Sequence, residues 1–100
     1  MNPATRHRSL PARLEDVPGI GRAIAADLRS VGVEVPAHLT RRAPLDLYLS
    51  LAPGMAHRHD PCVLYTLLAA RHYLDTGEAL PWWTFAQAGR RLLAEAAGRR

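Results

Sequence analysis

Leu14-Glu15-Asp16-Val17-Pro18-Gly19-Ile20-Gly21-Arg22, continuing through Ile24, Ala25 and Leu28 to Gly32, is the stretch on which the fold of this 100-residue chain turns. Leu14, Val17, Ile20, Ile24, Ala25 and Leu28 form an apolar seam that fits two short helices packed across a tight connection. Between those helices Gly19 and Gly21 lie two apart. Glycine lets the backbone take left-handed angles and approach a ligand with no Cβ in the way. Several N–H groups can then point outward where the second helix begins. That partly positive helix end favours a phosphate by about 0.3–1 kcal/mol before any side chain contributes. Arg22 follows at once and can add a charge-assisted contact. Ile20 turns inward and pins the turn to the core. A Pro-Gly-x-Gly string by itself is a plain helix connector, and the flanking seam is what favours the phosphate-facing reading.

Working outward, Ser9 is expected to cap a short helix through Asp16, with Leu10 and Leu14 on its inner face. A second helix runs from Arg22 to Val31, with Gly32 as the left-handed residue that ends it. Pro36 opens a brief third helix through Arg41, and Pro44 opens a fourth that turns Leu45, Tyr48, Leu49 and Leu51 inward until Pro53-Gly54 stops it. The strongest helical signal is Pro61 to Asp75. Asp60 offers an N-cap oxygen, Pro61 sits in the first turn and Gly77 lies just past the end. This segment is apolar nearly all round, which marks a helix buried on most sides or packed against a second subunit. Pro81-Trp82-Trp83 reads as an aromatic connector, and Thr84 as the cap of an Ala-rich last helix reaching Ala97. No strand pattern and no internal repeat is present.

Composition fits a folded domain: 48% of residues are hydrophobic and 22% charged. No apolar run approaches the roughly 18 residues needed to cross a bilayer, and Met1 to Leu10 lacks the apolar stretch of a signal peptide, so a cytoplasmic location is expected. Cys62 is the single cysteine, which removes a disulfide framework or thiolate zinc cluster from consideration. All 13 basic residues are arginine. The net charge of +4 sits at the ends, since residues 1–13 and 88–100 each carry +3 and the body between carries −2. Charge alone therefore supports nucleic-acid binding only modestly.

Other constellations carry less. His57-Arg58-His59-Asp60 offers imidazoles and a carboxylate, with His72 on the next helix, but two loop histidines two apart lack a third ligand at defined spacing. A solvated loop ending in a helix cap explains them better. Cys62, in the first turn of an apolar helix, reads as a small core residue and not a nucleophile. Trp82, Trp83 and Phe85 could stack on bases of a single strand, although a cluster of this kind more often closes a small helical core. No paired carboxylates, triad spacing or cofactor loop is present, which argues against catalysis.

The segment from Leu14 through Gly32 resembles the helix-hairpin-helix DNA-binding motif. With Pro44-Leu45-Asp46-Leu47-Tyr48, Asp60-Pro61-Cys62-Val63-Leu64-Tyr65 and Pro81-Trp82-Trp83 in order, residues 14–85 resemble the bacterial pathogenicity-locus family. Members of that family are sometimes labelled mitomycin-resistance proteins and look related to the C-terminal domains of competence regulators. The resemblance implies that the amides of Gly19, Gly21 and Ile24 meet phosphate oxygens, with Arg22 where the motif often has lysine. It also implies that the carbonyls of Glu15, Val17 and Ile20 can hold a monovalent cation. Val35 to Leu51 has the length of a second such motif but no glycine turn between Leu39 and Pro44, so it should pack and not bind.

The resulting expectation is an all-α domain of five to six helices at 9–97, between a disordered basic arm at 1–8 and a basic tail at 98–100, with one helix-hairpin-helix motif and a degenerate second. Its expected role is non-catalytic, sequence-nonspecific binding to the DNA phosphate backbone. No cofactor beyond the monovalent cation, no membrane and no small-molecule substrate is expected. The alternative is a protein-interaction or homodimerisation module using the apolar 61–75 helix.

Overall fold

The computed structural model describes residues 10–55 and 60–98. Among them the chain forms α1 (Arg22–Ser30), α2 (Pro36–Leu39), α3 (Pro44–Met55), α4 (Pro61–Thr76) and α5 (Ala86–Gly98), with single 3₁₀ turns at Leu14–Asp16 and Trp82–Phe85 and no strand. The expected basic arm, Ser9 and the His57 and His59 pair lie outside the described residues.

α4 is the central element, and its ends follow from the sequence. Asp60 accepts a hydrogen bond from the Cys62 amide at 2.8 Å, Pro61 occupies the first turn, and Gly77 ends the helix in the left-handed region at φ 83°. Packed on it are α3, α5 and the Trp82–Phe85 turn, while α1 rests on α3 and on the Leu14–Asp16 turn. Val63, Leu64, Leu67, Ala70 and Leu74 of α4 are buried within the chain, joined by Leu47, Tyr48 and Leu51 of α3 and by Leu28 of α1. The near-continuous apolar character of α4 is thus used to contact neighbours on several sides.

Several local expectations are corrected. The helix expected from Ser9 shrinks to the one turn at Leu14–Asp16, since Arg13 before it is extended at φ −122°, ψ 150°, and Leu10 is 38% exposed. α3 runs through Pro53-Gly54 to Met55; a proline in the last turn forfeits one N–H bond without ending the helix. On α3, Leu47 takes the inward position expected of Leu49, because 47, 48 and 51 form one helical stripe and Leu49 is left 41% exposed. Thr84 falls inside the 3₁₀ turn and does not cap α5. Cys62, expected in the core, is exposed at the outer side of the first turn of α4. Partial desolvation by the surrounding chain and the adjacent Asp60 carboxylate push its thiol pKa up, which disfavours the thiolate a nucleophile needs.

One buried glycine was not legible as such. Gly89 lies within α5, where glycine ordinarily weakens a helix by about 1 kcal/mol relative to alanine. A Cβ there would overlap Cδ1 and Cε1 of Tyr65. The missing side chain is what lets α5 close over the Tyr65 ring of α4.

Candidate nucleic-acid interface

The turn between the first 3₁₀ segment and α1 is a β-turn in which the Ile20 amide donates to the Val17 carbonyl at 3.0 Å. Pro18 stands at its second position and Gly19, at φ 90°, at its third, the type II pattern that requires a residue free to adopt positive φ. Ile20 is driven inward and is 3% exposed, joining Leu14, Val17, Ala25 and Leu28 in the core as the seam predicts. Gly21 differs from expectation. Its φ of −86° and ψ of −178° are extended angles open to any residue, and it serves as the N-cap of α1 with no side chain to bond the first turn. The left-handed requirement therefore rests on Gly19 alone, and an added Cβ at Gly21 would meet nothing within 4 Å.

The hydrogen-bond pattern leaves donors without a backbone acceptor. Ala25 N–H is the first in α1 to be satisfied by the helix, donating to Gly21 O at 3.0 Å. The amides of Gly19, Gly21, Arg22, Ala23 and Ile24 reach no backbone carbonyl among the described residues. Gly19, Gly21, Arg22 and Ala23 are exposed and Ile24 half-buried. The structure so brings together Gly19, Gly21, Arg22 and Ile24, and adds Ala23 to the set. Arg22, at the first position of α1, makes no ion pair among the described residues. Of the three carbonyls assigned to a cation, Val17 O already accepts from Ile20, whereas those of Glu15 and Ile20 accept no backbone bond outside the helices among the described residues.

The turn is held at its base by an ion pair that sequence spacing did not reveal. Arg29, in the last turn of α1, grips Glu15 through two bonds, Nη1 to Oε2 at 2.9 Å and Nη2 to Oε1 at 2.8 Å. This clamps the 3₁₀ segment to the far end of α1 and holds the Glu15 carboxyl down at about 2, first through the Arg29 hydrogen bonds and then through Glu15's own backbone amide. Arg13 and Asp16 pair alongside at 3.2 Å. Residues fourteen apart share no helical face, so only the turn at Pro18-Gly19 places them together.

Elsewhere, His72 Nε2 lies 2.7 Å from Glu78 Oε1, and no group of three or more His, Cys, Asp or Glu side chains among the described residues could hold a metal ion. The stretch proposed as a degenerate second motif forms α2 and α3 with no positive-φ glycine between them. No helix among the described residues is long and apolar enough to cross a membrane.

The aromatic cluster departs from its expected core role. Trp82 and Trp83 are 39% and 64% exposed, and only Phe85 of the three packs partly into the core. Trp82 stacks on the buried Tyr65 ring with centroids 6.1 Å apart and planes 18° from parallel, and Trp83 meets Trp82 edge-on at 5.7 Å and 81°.

The chain is similar to Mitomycin resistance protein McrB of Streptomyces lavendulae, with 33% identity over 75 residues that cover 75% of this chain and 71% of that protein. No solved structure matches it. A family model described as Pathogenicity locus matches residues 7–91. By the extent of that match and the identity to its relative, this all-α chain belongs to the pathogenicity locus family.

Proposed function

We propose that the protein binds DNA through its phosphate backbone, non-catalytically and with little dependence on base sequence, and that the contact is the hairpin turn at Gly19 to Ile24. The observation that carries this reading is the set of backbone amides at Gly19, Gly21, Arg22, Ala23 and Ile24, which find no backbone carbonyl among the described residues. They stand at the partly positive end of α1, beside Arg22, which makes no ion pair among the described residues. Such donors fit phosphate oxygens and carry no base information. The resemblance to the helix-hairpin-helix motif supports the same assignment. Main-chain carbonyls suit a hard monovalent cation; those of Glu15, Val17 and Ile20 would hold it, Val17 through its second lone pair, and the cation would add positive charge facing the phosphate.

The test is a titration of labelled duplex DNA against salt, at working concentrations away from those of a cytoplasmic milieu as well as near them. Affinity should fall along a log–log slope of about −0.9 per phosphate neutralised. Arg22→Ala should flatten that slope by about one unit, and unrelated duplexes should bind alike. Deleting residues 1–8 separates the basic arm from the hairpin. If that truncation abolishes binding while a folded Gly19→Ala, Gly21→Ala double variant binds like wild type, the turn is a connector and the reading fails.

A further inference from the structure

Trp82 and Trp83 leave large apolar rings in water, while among the other large hydrophobic side chains of the described residues only Leu10, Val35 and Leu49 are exposed. Exposed aromatic surface of this kind marks an interaction site more often than chance. The rings are not loosely held. Trp82 lies on Tyr65, which is itself fixed in the space that Gly89 leaves open, and Trp83 is braced edge-on against Trp82. A ring already held in place gives up little freedom on binding.

The position of these rings decides what they fit. A cavity of about 250 Å³ opens between Trp82, Pro81 and Leu80 on one side and Pro18 and Gly19 of the hairpin on the other, over Thr66 of α4. The residues bordering it carry no charge. One face of the depression is thus aromatic and apolar, and its other edge is the turn whose amides and Arg22 favour an anion. A nucleotide has the matching two halves, a flat π-surface and a phosphate. A peptide helix would match the apolar part and leave the amides unused, and a small anionic metabolite would match the amides and leave the rings in water.

From this we infer that Trp82, Trp83 and the adjoining cavity form a base-stacking subsite, and that the preferred ligand of the hairpin is single-stranded DNA, with an unpaired base entering beside Gly19. The inference rests on the phosphate-binding reading of the hairpin. In a duplex the bases are stacked on one another and must be extruded before they can reach the rings, whereas a single strand presents them directly.

Anisotropy titrations with a labelled oligothymidine and with a duplex of equal length, alongside the intrinsic tryptophan fluorescence, test it. The single strand should bind more tightly than the duplex and quench the tryptophan emission. Trp83→Ala, at an exposed position, should weaken single-strand binding by about five- to 150-fold, the range measured when a stacking aromatic is removed. Duplex binding should stay within about twofold, and Trp83→Phe should recover most of the loss. Trp82→Ala, checked for folding by circular dichroism, should act in the same direction. Equal binding of both DNA forms, or single-strand binding by folded Trp83→Ala and Trp82→Ala that matches wild type, overturns the subsite while leaving the hairpin reading standing. Binding of neither form by the wild-type protein overturns the hairpin reading and the subsite with it.

Discussion

Gly21→Ala isolates the approach of a phosphate from the stability of the fold. At φ −86° and ψ −178° Gly21 has angles that alanine adopts without strain, and its Cβ would find open space within 4 Å. Alanine is a poorer N-cap than glycine by several tenths of a kcal/mol, and the stiffer unfolded chain offsets this by about 0.4–1 kcal/mol. The two nearly cancel. A stability change under about 0.5 kcal/mol moves Tm by no more than about 4 °C in a domain of this size. Gly19→Ala is the contrast, because φ 90° is a region alanine enters at a cost of about 1–2 kcal/mol, which lowers Tm by roughly 5–15 °C. On the binding side, a methyl group on the exposed surface of the turn holds a phosphate oxygen beyond the roughly 2.9 Å at which an amide donates to it. Losing one charge-assisted bond removes about 1.5–3 kcal/mol, a ten- to 150-fold drop in affinity. Calorimetric or dichroism melts and DNA titrations on the two variants read both quantities. Should Gly21→Ala melt and bind like wild type with the same salt slope, no phosphate approaches this turn.

Three further outcomes are expected. Glu15, held near 2 in the folded protein against 4.5 ordinarily, contributes stability that is complete above the ordinary value and lost as pH falls through the interval down to about 2. The Tm gap between wild type and Glu15→Gln should therefore be full at pH 6 and vanish near pH 2, and a gap that ignores pH would show that the Arg29 clamp is not its source. Gly89→Ala should lower Tm although alanine is the better helix former, since relieving the overlap with Tyr65 costs about 1–3 kcal/mol against about 1 kcal/mol of propensity gained; a raised Tm contradicts the packing described. Leu64→Glu places a carboxylate at a position with 0% exposure, so the chain should unfold by dichroism, whereas a folded monomer by sedimentation would mean that α4 is an intersubunit seam.

How much of this could be read from the chain alone depends on the range over which each signal acts. Helix starts and stops are local chemistry: Asp60, Pro61 and Gly77 delimit α4, and Gly32 follows α1 at φ 89°, because caps and left-handed residues act within one turn. The apolar seam from Leu14 to Leu28 likewise marked the residues that turn inward, Ile20 among them, since periodicity reports a face. Family membership was legible for the same reason, as ordered local strings. What the sequence could not determine is which apolar residues find a neighbour and which do not. Leu49 and Leu47 sit two apart in one helix, and only the placement of α3 against α4 decides that the second is the buried one. Tyr65 needs a glycine 24 positions later to make room for its ring, and Arg29 closes on Glu15 only once the hairpin has folded. Trp82 and Trp83, which look like core residues in isolation, stay exposed, Trp82 lying over a Tyr65 ring that is itself buried and Trp83 edge-on against Trp82. Local sequence determined the ends of α4, the stop after α1 and the Pro18-Gly19 turn; burial is a contest among distant residues for the same volume, and only the tertiary structure decided it.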